Sequence, residues 1–429
     1  MSRLSKLSPE FKYRLLLEIS QKVSRTLDLQ EVLSHLLESV CSAVAYDAAG
    51  IFVLNRSVPL AHDTWSNLIV GMATVGFPER APTDDPMLKS ARGIVGHVIR
   101  TGETVIASDV RLDPRYVQGR GTTLSEIAVP IVSNAQIIGA LNLESDRLDA
   151  FAAADAELLE FFASAAAISI EKAMLHRQVL EKQRMEQQLM IAREVQSTLL
   201  PSAAPAVPGY DIAGINLPTW TISGDYYDYI PLTGGRLSLV IADVSGKGVP
   251  AALIMATFRA ALRARLYKNG EILGLLEEVN HILLEPSDML RFVTAFYAVL
   301  DPSLGRLDYV DCGHNPPMLL RSSGGQELLD QGGPALGVVG DRQFESGTVS
   351  LGPGDVLVLY TDGVVELADS HGTEFGKGRL EQVLRRCARL PAQAMVHSVV
   401  EATRTFSGRN EYDDDFTLVI VKRDPTPQY

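Results

Sequence analysis

The sequence predicts an α/β (α+β) protein of two domains that are joined by a long helix. Apolar stretches of strand length recur in both halves, and most follow one another without an intervening helix, which is typical of largely antiparallel sheets. Residues 171–199 contain neither glycine nor proline and are rich in Glu, Gln, Arg, Met and Leu, which favours one uninterrupted helix. Pro201, Pro205 and Pro208 then end that helix and mark the boundary of a second domain.

The first half combines helical and strand-like patterns. Apolar residues recur at helical spacing over about 10–45, and Asp28 is placed to cap the second stretch of this region. Predicted strands follow at Ala48–Leu54, Leu68–Val75, Thr104–Ala107, Glu126–Ile131 and Ile137–Glu144. A further helix is predicted to begin near Asp155 and to continue to Leu200, so it includes the polar connector.

The connector carries side chains at alternating spacings of four and three residues, which is the pattern of a coiled-coil seam. These residues are Met185, Leu189, Ala192, Gln196 and Leu199. The pattern favours a dimeric coiled coil, because so polar a helix needs a partner for its narrow apolar stripe. A solvated connector helix that packs on its own domain is the alternative.

The second half alternates strands and helices from Gly209 onward. Predicted strands are Tyr210–Leu217, Tyr226–Pro231, Leu237–Ala242, Thr294–Asp301, Arg306–Cys312, Pro317–Leu320, Val356–Tyr360 and Thr417–Val421. Predicted helices are Pro250–Lys268, Glu271–Leu283, Gly378–Arg389 and Ala392–Thr405. The sheets should therefore be largely antiparallel, with helices added on their faces.

Composition excludes several classes of function. The chain has 429 residues, 46% of them hydrophobic and 21% charged, and a formal net charge of −13. Such a negative balance argues against a nucleic-acid or anionic-membrane partner, since either needs a basic face. Three scattered cysteines without a CxxC pair indicate reduced thiols. No apolar run approaches the ~18 residues of a membrane span, and the N-terminus lacks a signal-peptide core, so we expect a cytoplasmic protein.

Four short acidic motifs in the second half carry the chemistry. They are SGDYYD (Ser223–Asp228), IADVSGKG (Ile241–Gly248), YTDG (Tyr360–Gly363) and DDDFTLVIV (Asp413–Val421). Each places aspartate beside a strand-length apolar run or a small flexible residue. Oxygen ligands at strand ends suit hard divalent cations such as Mg²⁺ or Mn²⁺. If the fold brings these strand ends together, the motifs predict a two-metal hydrolytic site.

In this order the motifs resemble the PPM family of metal-dependent Ser/Thr protein phosphatases, in particular its bacterial RsbU/SpoIIE-like branch. The resemblance spans Ala192–Arg423 and includes AREVQSTLLP and GHNPPMLL. It implies an αββα sandwich with two Mn²⁺ or Mg²⁺ ions at one edge. The implied metal ligands are Asp225, Asp243, the carbonyl of Val244, Asp362 and Asp414. In the acidic run Asp413 and Asp415 remain alternatives to Asp414.

The resemblance implies no covalent catalytic residue, because a water bridging the metals, held through Asp225 and Asp243, is the nucleophile. The absence of a CxxxxxR loop agrees with this. His314 either donates a proton or only shapes the Gly313–Leu320 loop, and the adjacent Asn-Pro-Pro favours the loop-shaping role.

Residues Leu27–Ala173 resemble a GAF domain. The resemblance lies in GIVGHVIRTGETVIASDVRLDPRY (Gly93–Tyr116), AVPI (Ala128–Ile131) and IIGALNLES (Ile137–Ser145), and it implies a central antiparallel sheet. The ligand stays unknown. Asn142, Phe151 and Asp155 match a cyclic-nucleotide signature, whereas Leu143 and Ala156 depart from it, and His62, His97 and Cys41 are the candidate haem or bilin ligands. The domain either binds a small molecule or only dimerises.

Together these features predict a GAF sensor domain with an N-terminal helix (1–170), a helical linker (171–200) and a phosphatase domain (201–429). The expected partners are a phosphorylated, STAS-like anti-sigma-factor antagonist and a second copy of the chain, which would bind through the GAF domain and linker. No nucleic-acid or membrane partner is expected. The alternatives are a catalytically silent phosphoprotein-binding module, which the four retained aspartates argue against, and a ligand-sensing dimeric scaffold.

Overall fold

The structure is a computed structural model that consists of two compact units, divided between Met185 and Glu186. It describes residues 26–55, 69–77, 93–219, 222–266, 271–284, 292–340, 344–409 and 412–425. The helix expected before residue 26, His62 and the ends of several predicted elements lie outside these ranges. Within them, no helix combines the length and the apolar character that crossing a membrane requires.

The first unit is built on one five-stranded antiparallel sheet. Its strands are β1 (Ala48–Leu54), β2 (Ile69–Val75), β3 (Val105–Ala107), β4 (Ser125–Ser133) and β5 (Gln136–Ser145), in the order β2-β1-β5-β4-β3. Its helices are α1 (Leu29–Cys41), α2 (Gly93–Thr101) and the first part of α3 (Ala153–Ser197). All five strands were predicted, and the structure confirms the central antiparallel sheet.

Both faces of this sheet are covered, which explains why β1 is buried at every position. Alternate side chains such as Ile51 and Val53 pack with α1 and α3, whereas Phe52 and Leu54 pack with α2. The predicted cap of α1 is confirmed, because Asp28 Oδ1 accepts a hydrogen bond of 3.0 Å from the Glu31 amide.

Helix α3 is continuous over 45 residues, as the absence of glycine and proline predicted. It ends at Ser197, and the amides of Leu199 and Leu200 then bond to carbonyls three residues back, which tightens the last turn before Pro201. Met185 is 65% exposed, whereas Gln196 is buried and Leu199 packs in the core of the second unit. The last two positions of the predicted seam therefore face the chain's own domain.

The second unit contains two sheets. The first has the order β13-β10-β9-β8-β7, with β14 paired to β10, and the second has the order β12-β11-β15-β16-β6. The strands are β6 (Tyr210–Leu217), β7 (Tyr226–Pro231), β8 (Leu237–Val244), β9 (Val293–Asp301), β10 (Arg306–Cys312), β11 (Met318–Leu320), β12 (Gln326–Leu328), β13 (Gly332–Gly333), β14 (Gly347–Ser350), β15 (Val356–Tyr360) and β16 (Phe416–Arg423). Only the short β10–β13 pairing is parallel among the described strands.

The two sheets stack, and helices cover their outer faces. The helices are α4 (Val249–Leu266), α5 (Ile272–Leu284), α6 (Asp362–Val365), α7 (Gly376–Cys387) and α8 (Ala392–Ser407). Alternate side chains of β8 divide between two cores: Leu239 and Ile241 face the other sheet, whereas Val240 and Ala242 pack against α4 and α5. Helices α7 and α8 pack on the second sheet in the same way. The predicted αββα sandwich is confirmed.

Five elements were missed. Strands β12, β13 and β14 and helix α6 are two to four residues long, which is too short for a periodic signal. Helix α2 contains an internal glycine and several β-branched residues, both of which weaken a helical pattern.

Candidate metal centre

Two predicted ligands lie where neighbouring strands of the first sheet of the sandwich end. Asp225 directly precedes β7, and Asp243 is the penultimate residue of β8. Tyr226 pairs with Ala242 in the antiparallel ladder, so the start of β7 stands beside the end of β8. The SGD and ADV motifs therefore meet because the sheet is antiparallel at this point.

The second sheet supplies the other two predicted aspartates in an equivalent way. Asp362 begins α6 two residues after β15, and Asp414 stands two residues before β16. The pairing of Tyr360 with Leu418 aligns the end of β15 with the start of β16. Both pairs of strand ends lie at one edge of the sandwich, as the hydrogen bonds of Asp225 show.

Asp225 is the innermost of these carboxylates and ties the two sheets together. It is 1% exposed, and its Oδ2 accepts hydrogen bonds from Thr361 Oγ1 at 2.8 Å and from Thr417 Oγ1 at 2.5 Å. Both threonines are fully buried and belong to the second sheet or its boundary. They fix the direction of the Asp225 carboxylate and leave its Oδ1 outside these two bonds.

The carboxylates raise one another's pKa. Burial, followed by the charges of Asp243 and Asp415, raises the pKa of Asp225 well above its usual range. Burial, followed by the charges of Asp362 and Asp414, raises the pKa of Asp243 to about 7. Burial and then Asp414 raise the pKa of Asp362. So many negative groups at one edge favour the uptake of protons or of a cation.

The three aspartates of the acidic run have different partners. Asp415 is committed to the fold, because its carboxylate accepts from the Thr219 and Gly224 amides and from Ser223 Oγ, at 2.7–2.9 Å. Asp413 is exposed and pairs with Arg409. Asp414 directs Oδ1 to the Asp415 amide at 2.9 Å, and its Oδ2 lies 3.0 Å from Lys247 Nζ.

Two glycines of the motifs allow close approaches. A Cβ on Gly363 would lie 2.1 Å from the Asp415 carbonyl oxygen, so only glycine lets the start of α6 approach the acidic run. A Cβ on Gly224 would lie 3.2 Å from the Val244 carbonyl oxygen. The predicted carbonyl ligand therefore lies against the backbone that directly precedes Asp225.

His314 is positioned as part of a buried loop. It is 7% exposed, its amide donates to Asp311 Oδ1 at 2.7 Å, and its Nδ1 lies 3.0 Å from Thr294 Oγ1. Burial lowers the pKa of His314 to about 4, so the imidazole is neutral at neutral pH. This environment favours the loop-shaping role over that of a proton donor.

Sequence reasoning missed a contact of Gln196 near the site. Its Nε2 donates to the Ser223 carbonyl at 2.7 Å, and its Oε1 accepts from the Ser223 amide at 2.9 Å. Because Ser223 lies two residues before Asp225, the last turn of α3 is bound directly to the segment that carries a predicted ligand. The glutamine of AREVQ and the threonines of YTDG and DFTL were inside the recognised motifs, but nothing in a linear pattern shows their partners.

The predicted ligands supply only oxygen donors. Among the described residues, no group of three or more Asp, Glu, His or Cys side chains is close enough together to hold a metal ion. The donors nevertheless fit a hard divalent cation, because buried carboxylates with raised pKa values and a backbone carbonyl are the ligand types that Mg²⁺ and Mn²⁺ prefer.

The candidate ligand residues of the first unit do not converge. His97 lies on α2 and Cys41 on α1, and these helices pack on opposite faces of the sheet. Phe151 is a core residue, and Asp155 Oδ2 accepts from the Ala152 amide at the start of α3. Asn142 is fully buried and donates to Glu126 Oε1 at 3.1 Å. These contacts give Phe151 and Asp155 structural roles.

Comparison with known proteins agrees with the two units. Residues 233–424 match the family described as Stage II sporulation protein E (SpoIIE), and residues 26–171 match the GAF domain. We call these two matched regions the GAF domain and the SpoIIE-type domain. The SpoIIE-type domain is an αββα sandwich with the four acidic motifs at one edge.

The chain is similar to two bacterial proteins. It is 31% identical over 260 residues to Protein IcfG of Synechocystis sp., which covers 54% of this chain and 40% of IcfG. It is 28% identical over 243 residues to phosphoserine phosphatase RsbU of Bacillus subtilis, which covers 56% of this chain and 72% of RsbU. The chain thus matches less than half the length of IcfG.

One solved structure shows the same fold as the SpoIIE-type domain. The SiaA-PP2C domain of Pseudomonas aeruginosa superimposes with a TM-score of 0.51 at 23% identity, which covers 57% of this chain and 99% of that domain.

Proposed function

We propose that the chain is a metal-dependent protein serine/threonine phosphatase. In this proposal the GAF sensor domain (1–170) acts through the helical linker (171–200) on the phosphatase domain (201–429). The observation that carries the proposal is the meeting of Asp225, Asp243, Asp362 and Asp414 at one edge of the sandwich. The similarity to a phosphoserine phosphatase supports it.

Two Mn²⁺ or Mg²⁺ ions, held by the four aspartates and the Val244 carbonyl, would lower the pKa of a water and offset the charge of a phosphoryl group. Residues of the chain would hold the metal ligands in place. Thr361 and Thr417 orient the buried Asp225 carboxylate. No covalent nucleophile from the protein is required.

The gradient of exposure across the site suits a phosphorylated protein as substrate. Asp225 is 1% exposed, whereas the Asp414 side chain is 46% exposed. The inner carboxylates are shielded from water, and the outer ones stand at an open edge that a phosphoserine or phosphothreonine on another protein can reach. We propose a STAS-like anti-sigma-factor antagonist in a bacterial partner-switching pathway as that substrate.

Regulation would pass through the end of α3. Gln196 holds the Ser223 backbone, and Arg259 Nε on α4 donates to the Leu199 carbonyl at 2.7 Å. A rotation of α3 would move the segment that carries Asp225. Insertion of one residue near Gln187 would rotate the following turn by ~100° and should alter activity or its regulation. Unchanged activity and regulation in that variant would contradict this route.

The proposed homodimer rests on the exposed apolar side chains in the linker part of α3, from residue 171 onward, which are 50–66% exposed. They are Leu175, Val179, Leu180, Met185, Met190, Ile191 and Val195. Sedimentation of the full chain should give a dimer, and a monomer at micromolar concentration would contradict the proposed partner.

The function is tested by Mn²⁺-dependent hydrolysis of a phosphoserine peptide. Asp414→Asn should lower turnover at least 100-fold, because it removes a carboxylate of the site. Asp413→Asn is the matched control: it removes the adjacent, exposed carboxylate and should leave turnover within twofold. Equal effects of the two changes would contradict the assignment of Asp414. A folded chain that neither turns over nor binds Mn²⁺ would favour the catalytically silent phosphoprotein-binding module.

A further inference from the structure

Lys247 places its charge on one of the predicted metal ligands. Its Nζ lies 3.0 Å from Asp414 Oδ2 and donates to the Asp413 carbonyl at 3.0 Å. Among the ion pairs of the described residues, no other includes one of the four aspartates of the site. Lys247 also lowers the pKa of Asp362, which burial and Asp414 raise.

The Asp414 oxygen that Lys247 contacts is not the one that accepts a hydrogen bond from the backbone. Asp414 Oδ1 accepts from the Asp415 amide, so Oδ2 is the oxygen available to a further partner. A lysine ammonium and a divalent cation would therefore compete for the same atom. The two side chains are each 46% exposed, and ion pairs of this kind are weak and exchange readily.

The turn that carries Lys247 has a glycine on either side of it and open space around both. Gly246 and Gly248 on either side have φ values of 95° and 77°, and a Cβ on either would meet nothing within 4 Å. The lysine side chain is long and has three donors in no fixed plane. Release from Asp414 would thus leave the ammonium at the rim of the acidic edge without a rearrangement of β8 or α4.

We propose that Lys247 pairs with Asp414 until a divalent ion replaces it there, and that it then binds the phosphate of the substrate. It neutralises Asp414 in the metal-free chain, leaves Oδ2 when a divalent ion binds there, and then contacts a non-bridging oxygen of the phosphoryl group. The proposal rests on the proposed phosphatase function. A phosphate dianion that approaches an edge with four carboxylates needs positive charge beside it, and lysine supplies that charge as a mobile point donor.

The test measures binding, and not only turnover. Mn²⁺ is titrated calorimetrically into the full chain, and inorganic phosphate is then titrated into the Mn²⁺-loaded protein. Lys247→Met keeps the length of the side chain and removes its charge. It should bind Mn²⁺ about threefold more tightly, because an exposed ion pair is lost as a competitor, and phosphate about tenfold more weakly.

Two variants separate this role from a general change of charge. Arg409→Met removes a cation that pairs with Asp413 at 3.3 Å, next to the site but not on Asp414, and should change both affinities less than twofold. Lys247→Arg keeps the charge and should bind phosphate within about threefold of wild type. Circular dichroism at matched concentrations checks that each variant is folded.

The outcomes are distinguishable from a failure of the proposed function. If Lys247→Met binds Mn²⁺ no more tightly than wild type, or phosphate equally well, the role of Lys247 is overturned while the phosphatase proposal stands. Equal shifts for Lys247→Met and Arg409→Met would also overturn it. A wild-type chain that takes up no Mn²⁺ would overturn both proposals.

Discussion

Two regions of the chain bring carboxylates face to face, and they do so in opposite settings. In the GAF sheet, Glu126 and Glu144 are paired residues of β4 and β5, and both are at most 1% exposed. In the SpoIIE-type domain, the aspartates stand at strand ends beside glycine-containing turns. The first pair is buried and bonded to Asn142 and Thr123, whereas the second group ranges from buried Asp225 to half-exposed Asp414.

The comparison shows that the consequence of repulsion between carboxylates depends on whether they lie in the interior or at the edge of the fold. Burial, followed by the charge of Glu144, raises the pKa of Glu126 to about 8, so this group keeps its proton in the folded state. At the sandwich edge, the same physical causes raise the pKa of Asp243 to about 7, but this residue is only partly buried. We therefore expect the interior pair to govern stability and the edge to govern metal binding and turnover.

The largest expected effect comes from Gly363→Ala. The new Cβ would lie 2.1 Å from the Asp415 carbonyl oxygen, so the start of α6 and Asp362 must move away from the acidic run. Mn²⁺-dependent turnover should fall more than 100-fold. Gly378→Ala is the matched control, because that glycine is in a helix and its Cβ would meet nothing within 4 Å. Comparable losses in both variants would contradict a local steric cause.

The hydroxyl groups that orient Asp225 should matter next. Thr361→Val and Thr417→Val keep the shape of each side chain and remove its hydrogen bond to the buried Asp225 carboxylate, which costs about 1–3 kcal/mol. The same changes also remove the acceptors of the Thr417 amide and of Asn216 Nδ2, respectively. Turnover should fall about 10- to 100-fold in each variant. Thr361→Ser and Thr417→Ser retain the hydroxyl and should recover most of the activity. If the serine variants are as impaired as the valine variants, hydrogen bonding to Asp225 is not the reason.

A smaller effect is expected from Gln196. Gln196→Ala removes both bonds to the Ser223 backbone and should lower turnover about five- to tenfold, since the segment before Asp225 loses its anchor. Gln196→Glu keeps the acceptor for the Ser223 amide but loses the donor. Its turnover should therefore lie between those of wild type and Gln196→Ala. Kinetics at saturating Mn²⁺ provide the measurement, and wild-type turnover in Gln196→Ala would contradict the anchoring role.

The interior pair should change stability and leave turnover alone. Because the folded state keeps the Glu126 proton up to about pH 8 and the unfolded chain releases it near pH 4.5, stability should fall as pH rises through this window. The slope is at most about 1.4 kcal/mol per pH unit for one proton. Glu126→Gln should flatten it. Hydrogen exchange of β4 and β5 at several pH values measures the slope, and parallel profiles for both proteins would contradict a buried, protonated Glu126.

Much of the fold could be predicted because it depends on local patterns. β1, β6, β7, β10 and β15 match their predicted bounds, since their apolar runs end sharply at turns. The length of α3 followed from the absence of Gly and Pro. Strands of two to four residues could not be found, because they are defined by their partners and not by a period.

The candidate site was predictable as a set of motifs but not as a geometry. The sequence predicted Asp225, Asp243 and Asp362 as metal ligands together with one aspartate of the 413–415 run. It assigned Asp414 but kept Asp413 and Asp415 as alternatives. Their separate partners emerge only in three dimensions: Asp415 binds backbone amides and Asp413 binds Arg409. The same holds for Gln196 and Thr361, whose partners lie 27 and 136 residues away in sequence.

The most direct test of the account is a calorimetric titration of Mn²⁺ into the full chain, its Asp243→Asn variant and its Glu126→Gln variant. The account predicts two ions bound by wild type, loss of high-affinity binding in Asp243→Asn, and unchanged binding in Glu126→Gln. If Asp243→Asn binds Mn²⁺ like wild type, or if Glu126→Gln removes the binding, the metal centre does not lie at the edge of the sandwich.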